Sequence, residues 1–160
     1  MPHCPNKSLA IDSLDSETHL YKGLSYQIKG KNNTAVTNYN KAISINNNYE
    51  AYLHKAEILE NERSYSELEA LYTSALQAHP KESEMFYHRA IFYSNRKKFD
   101  QALTDFSQAI TLNDKVGAYY GDRATVFLKK DMKNEACNDV KKAQSLHHEV
   151  STKVEKKACK

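Results

Sequence analysis

Residues 86–112, FYHRAIFYSNRKKFDQALTDFSQAITL, decide the fold. In their second half Phe99, Ala102, Leu103, Phe106, Ala109 and Ile110 recur at steps of three and four. That spacing gathers them on one face of a helix with about 3.6 residues per turn. Phe86, Ala90 and Tyr93 repeat the pattern in the first half, and Ser94 to Lys98 form a polar pivot between the two. Ala90 on one helix and Ala102 and Ala109 on the other admit a close crossing, at the usual axis spacing of about 8–10 Å. The stretch predicts a helical hairpin with large knobs and small holes.

The same hairpin recurs along the chain. Small residues fill the column Gly23, Ala56, Ala90, Ala124, with steps of 33, 34 and 34, and the column Ala42, Ala75, Ala109, Ala143 repeats those steps. Their large partners are Tyr26, Leu59, Tyr93, Phe127 and Tyr39, Tyr72, Phe106, Val140, in identical register. Ala35, Leu68, Ala102 and Ala136 add a fifth column. Chance does not align five columns on three steps, so the chain reads as four copies of one hairpin.

A period of 34 with an aromatic, a small residue, Tyr, then Ala, aromatic, Ala and Pro resembles the tetratricopeptide repeat. The second copy carries it as Tyr52, Ala56, Leu59, Tyr65, Leu68, Tyr72, Ala75 and Pro80. The third carries it as Phe86, Ala90, Tyr93, Phe99, Ala102, Phe106 and Ala109. Departures gather in the outer copies, at His19, Asn32, Lys133 and His148, as expected where one face of a terminal repeat meets water. The resemblance implies an all-α fold, an α-solenoid of four hairpins plus a C-terminal capping helix, wound as a right-handed superhelix.

The expected organisation is an N-terminal arm at 1–15, four repeats at about 16–48, 49–82, 83–116 and 117–148, and a capping helix at 149–160. Pro2 and Pro5 argue against helix at the start, while Leu9, Ile11 and Leu14 are placed to lie on the first repeat. Gly30 suits a left-handed helix end. Ser64 with Glu67 fits a capping box, and Asp114 is placed to cap the following helix. In the last segment Val150, Val154 and Ala158 share one face, which would cover the final repeat.

Composition is that of a globular chain, with 40% apolar and 27% charged residues, four Gly and three Pro. No apolar run approaches the roughly 18 residues of a membrane span. The first residues show no basic start followed by an apolar run, so the expected compartment is the cytoplasm. The alternative is the cell envelope or the exterior, had a leader preceded the chain. Cys4, Cys137 and Cys159 lack metal-ligand spacing. They read either as reduced thiols of a cytosolic protein, or with Cys137 bridged to Cys159 through packing of the last two helices.

Catalytic signatures are absent from the sequence. It has no Gly-rich phosphate loop, no nucleophile elbow and no His pair spaced for zinc on a helix. His147 and His148 are adjacent, about 100° apart on a helix, and do not share a metal readily. The chain is therefore expected to be no enzyme and to need no cofactor or metal. Charge is uneven: residues 1–80 carry 7 basic and 9 acidic side chains, residues 81–160 carry 16 and 11. The pairs Lys97-Lys98, Lys129-Lys130, Lys141-Lys142 and Lys156-Lys157 raise, as the alternative function, a nucleic-acid-associated protein using the basic C-terminal half. Asp100, Asp105, Asp131, Glu135 and Asp139 interleave with them, which favours a solvated mixed-charge face.

The resemblance implies a non-catalytic interaction scaffold, in which a concave groove lined by each repeat's first helix holds a peptide or helix of a partner. One subclass of the family clamps the acidic C-terminal tail of chaperones with Lys, Asn and Arg side chains. Here Leu20, Leu24, His54, Glu84 and His88 stand at those positions, and a shift by one repeat gives Leu53, Glu57, His88, Ala118 and Asp122. Neither set clamps a carboxylate. The expected groove residues are Leu20, Leu24, Ile28, Leu53, His54, Glu57, Tyr87, His88, Ile91 and Asp122, rimmed also by Glu17, Glu50 and Glu84. An apolar segment with basic flanks is the partner chemistry this implies, with Leu20, Leu24 and Ile28 alternatively packing under the N-terminal arm. The pattern sets no oligomeric state.

Overall fold

The structure, a computed structural model, describes residues 6–160, with side chains from residue 14 onward. Nine helices and no strand are present among the described residues. They are α1 (Asn6–Ile28), α2 (Asn32–Asn46), α3 (Tyr49–Asn61), α4 (Tyr65–Ala78), α5 (Ser83–Asn95), α6 (Phe99–Leu112), α7 (Gly117–Lys129), α8 (Lys133–Ser145) and α9 (Thr152–Ala158). The chain divides into two units, Met1–Pro80 and Lys81–Lys160. In the first, α1 packs on α2, α3 on α4, and α3 also on α1 and α2. In the second, α5 packs on α6, α7 on α8, α7 also on α5 and α6, and α9 on α7 and α8.

Each pairing follows the columns. Ala35, Ala42, Ala75, Ala90, Ala102, Ala109, Ala124, Ala136 and Ala143 are fully buried, as are Tyr39, Leu68, Phe106 and Val140. The first hairpin shows the fit most sharply. A Cβ added at Gly23 would come 2.4 Å from the Tyr39 ring, so only glycine lets that aromatic seat against α1. Tyr39 donates its hydroxyl hydrogen bond to Gln27. Burial, with the Glu57 charge adding to it, pushes the Tyr39 pKa up to about 12.

The four hairpin turns share one geometry. Gly30, Arg63, Lys97 and Asp131 occupy one register position, all with positive φ, at 69°, 58°, 59° and 59°. The next residue donates its N–H back five positions, from Lys31 to Tyr26, Ser64 to Leu59, Lys98 to Tyr93 and Met132 to Phe127, each at 2.9 Å. This is the Schellman helix stop. It also explains why Ser64 makes no side-chain cap bond and the expected capping box with Glu67 does not form. The Ser64 backbone is committed to closing α3 and sits at ψ 61°, outside the extended cap conformation.

Two further expectations are corrected. Residues 6–15 are not an arm but the start of α1, since a proline just ahead of a helix removes only an N–H that the first turn leaves unpaired anyway. Leu14 on that segment is 65% exposed; Pro2, Cys4 and Pro5, and the side chains of Leu9 and Ile11, lie outside the described residues. Asp114 does not cap α7, whose N-cap is Val116; its carbonyl instead accepts from the Tyr120 hydroxyl at 3.3 Å.

Helix α9 begins three residues later than expected, and its Val154 and Ala158, with Val150 just before it, pack against Ala124, Leu128, Ala136 and Val140. This docking sets Cys137 and Cys159 with Cα atoms 4.9 Å apart, inside the range a bridge requires, and a disulfide joins them. The reduced-thiol reading is thereby replaced.

Four outcomes test this packing. Ala90→Leu or Gly23→Ala should destabilise the chain by roughly 1–3 kcal/mol through overpacking, read as a lowered midpoint of chemical denaturation. Tyr39 ionises more easily unfolded than folded, so its contribution to stability is intact below pH 10.0 and disappears as pH climbs through about 12. Phenolate absorbance should therefore show a late-titrating class that appears together with loss of helical circular dichroism. Thiol alkylation without reductant should leave Cys137 and Cys159 unmodified by intact mass. Replacing Cys137 by Ser should cost about 3 kcal/mol, the scale for closing a loop of this size.

Candidate functional site

In the first unit α1 and α3 lie side by side, and their facing residues form a cleft of about 290 Å³. Glu17 and Tyr21 line it from α1, Tyr49 and Glu50 from α3, with Leu20 beneath. Ser16 sets the corner: wholly buried, it donates to Asn46 Oδ1 at 2.7 Å and accepts from Asn48 Nδ2 at 3.1 Å. Asn48 also caps α3 by accepting from the Ala51 N–H at 2.9 Å. Glu17 and Glu50 are exposed and carry no ion pair among the described residues. Tyr21 is 62% exposed, and Tyr49 meets His79 edge-on at 5.6 Å.

The expected groove residues of this unit separate into classes. Leu20 is 2% exposed and packs with Ala35, Tyr39, Ala42, Ala51 and Ile58, so it supports the surface from below instead of anchoring a partner. Leu24 leans on the same cluster, while Ile28 is 87% exposed. Leu53 and His54 are half-buried, and the His54 ring stacks on Tyr39 at 5.9 Å. Glu57 is exposed and accepts from Gln27 Nε2 at 3.0 Å.

In the second unit α5 and α7 are tied across their first-helix faces. The Tyr87 hydroxyl donates to Asp122 Oδ2 at 2.7 Å, and its ring lies 4.8 Å from that of Tyr119. Burial, then the bond to Asp122, pushes the Tyr87 pKa well above the ordinary phenol range. Asp122 is therefore engaged internally. His88 lies 3.7 Å from Glu84, and Ile91 is half-buried. The link from His148 to Ser151 crosses Gly121, Asp122 and Thr125 and encloses a small cavity of about 190 Å³. A Cβ at Gly121 would meet the His148 ring at 3.2 Å. Val150 was expected over the last repeat, but nothing in the helical periodicity signalled that His148 joins this face.

A second polar system escaped the sequence reading. Arg89 donates from Nε and Nη2 to Asp105 at 2.6 and 2.8 Å, and Arg123 does the same to Asp139 at 2.7 and 2.8 Å. Both acids are buried, and both pairs join the two helices of one hairpin. The signal was available: the pairs share a separation of 16 and stand 34 apart.

Comparisons with known proteins fit this architecture. The family model described as tetratricopeptide repeat matches residues 17–49 and 83–116. No curated protein matches the chain. Among solved structures, MamA 41-end from Desulfovibrio magneticus RS-1 superposes with a TM-score of 0.70 at 19% identity, over 83% of this chain and 76% of that one. A tetratricopeptide repeat protein from Parabacteroides merdae gives 0.76 at 20% identity, over 88% and 56%. PilF of Pseudomonas aeruginosa gives 0.72 at 18% identity, over 84% and 62%. At these identities the likeness is one of fold. The family model covers two of the four hairpins, so the chain carries tetratricopeptide repeats at 17–49 and 83–116 within a fold that repeats one hairpin four times.

Proposed function

We propose that the chain is a non-catalytic protein-interaction scaffold whose first-helix faces hold a partner segment with apolar anchors and basic flanks. The cleft of the first unit carries this reading. Two exposed carboxylates, Glu17 and Glu50, face one opening with the rings of Tyr21 and Tyr49 beside them. A Lys or Arg side chain entering there gains charge-assisted hydrogen bonds and aromatic faces together. Leu24, Ile28 and Leu53 offer apolar contact next to it, and Leu20 holds the floor. In the second unit Ile91 and His88 remain for a partner, while Tyr87 and Asp122 stiffen the face. Pre-set helices lose little entropy on binding, so few anchors suffice.

The nucleic-acid alternative has less support. Lys130 pairs with Asp100, Lys133 lies 3.9 Å from Asp131, and Lys98 and Lys142 sit over the rings of Tyr93 and Tyr120. Among the described residues no helix is long and apolar enough to cross a membrane. The Cys137–Cys159 disulfide favours an oxidising compartment, the cell envelope or exterior, over the cytoplasm.

Peptide arrays test the reading. Apolar peptides flanked by Lys or Arg should be captured in preference to the same peptides flanked by Glu. The double variant Glu17→Gln/Glu50→Gln should weaken that capture by about tenfold or more, the scale of one charge-assisted contact. Leu53→Glu should weaken apolar anchoring. Preference for acidic C-terminal tails, or capture indifferent to these substitutions, would overturn it.

A further inference from the structure

The Arg–Asp pairs of the second unit have a broken counterpart in the first. In repeat register the cation column reads Lys22, Lys55, Arg89, Arg123, and the acid column reads Asn38, Leu71, Asp105, Asp139. Arg123 makes a further bond, from Nη1 to Ser107 Oγ at 3.0 Å, on the second helix of the preceding hairpin. Lys55 reproduces that bond, donating from Nζ to Asn40 Oδ1 at 2.8 Å, and Asn40 is the register counterpart of Ser107. On its other side the match fails. Where Arg123 meets the Asp139 carboxylate, Lys55 faces Leu71, which accepts nothing.

A cavity of about 330 Å³ opens at that place, lined by Asn40 and Ile43 of α2, Lys55 of α3, and Ala70, Leu71 and Ser74 of α4. We propose that this cavity binds the carboxylate of an acidic side chain, Asp or Glu, on a partner polypeptide, which completes at Lys55 the ion pair that Asp139 completes at Arg123. The site lies apart from the Glu17 cleft and does not rest on it.

Four observations converge on a carboxylate. Lys55 is half-buried, and among the described residues its ammonium has Asn40 as its one hydrogen-bond acceptor and no ion pair. Burial pushes its pKa down, with the Glu67 charge pulling part of the way back, as for an ammonium short of counter-charge. Ile43, Ala70 and Leu71 give the short apolar stem of Asp or Glu a wall to lie on, and the volume matches the small end of ligand sites, roughly 300–1,000 Å³. The Tyr52 hydroxyl, 3.3 Å from Ser74 Oγ, adds a polar end. Glu67 also lines the cavity and does not forbid a second carboxylate. Its counterpart in the fourth hairpin is Glu135, one helical turn before Asp139, and there Arg123 still holds Asp139 bidentately.

The probe is the peptide N-acetyl-Ala-Leu-Glu-Leu-Ala-amide, with Gln in place of Glu as its control, titrated into the full chain and followed by backbone and lysine side-chain NMR. The Glu peptide should shift Lys55, Asn40 and Ala70, and the Gln peptide should not. Lys55→Met should abolish the shifts, while Lys55→Arg should retain them. Lys55→Arg/Leu71→Asp installs the fourth hairpin's own pair and should lower affinity by about tenfold or more, because the internal carboxylate then competes. Should that variant fail to fold, Lys55→Met still decides. Equal shifts from the Gln peptide, or shifts that survive Lys55→Met, would overturn the proposal. Glutarate binding as tightly as the peptide would also overturn it, in favour of free small carboxylates. Resonances of Glu17 and Glu50 report the other cleft, so either proposal can fail alone.

Discussion

The close approach of the two helices within each hairpin is the constraint on which everything else depends. Four pairs separated by 16 residues form the contact: Gly23 with Tyr39, Ala56 with Tyr72, Ala90 with Phe106, Ala124 with Val140. A small residue on the first helix receives a larger one from the second, and all eight positions are buried. Packing this tight fixes both rotation and height of one helix against the other, because an added methyl group has no free volume to enter. Once register is fixed in this way, the polar columns on either side fall into register with it. That is why Arg89–Asp105 and Arg123–Asp139 repeat with nearly the same geometry.

The same constraint explains the turns. A left-handed residue costs a non-glycine roughly 1–2 kcal/mol, yet Arg63, Lys97 and Asp131 all adopt it. Only a turn over-determined by the flanking packing holds three such residues in place. The Schellman bond that each turn closes returns part of that cost by satisfying a carbonyl at the helix end.

Buried Arg–Asp pairs contribute little net stability, since desolvation offsets much of their attraction, but breaking one leaves a buried charge. In the second unit they tie helices together in a single arrangement. In the first unit Leu71 stands at the register position of those acids, and Lys55 lies half-buried beside an open cavity.

By itself the sequence determined the repeat period, the hairpins, the small and large columns, the polar pivot at 94–98 and the resemblance to the tetratricopeptide repeat. These are properties of one face of one helix, and periodicity along the chain encodes them directly. It also showed that the chaperone-tail clamp is missing, because that depends on residue identity at known register. What tertiary structure decided is which first-helix residues stay exposed. Leu20 and Leu53 share one column, yet Leu20 is enclosed by α2 and α3 while Leu53 is half-exposed. Tyr87 and Asp122, read as separate surface features, are bonded to each other because α5 and α7 lie alongside. The extension of α1 to Asn6, the burial of Ser16, the reach of His148 over Gly121 and the bridge from Cys137 to Cys159 depend likewise on packing between segments. Periodicity says which way a side chain points from its own helix; only the neighbouring helix decides whether it meets protein or water.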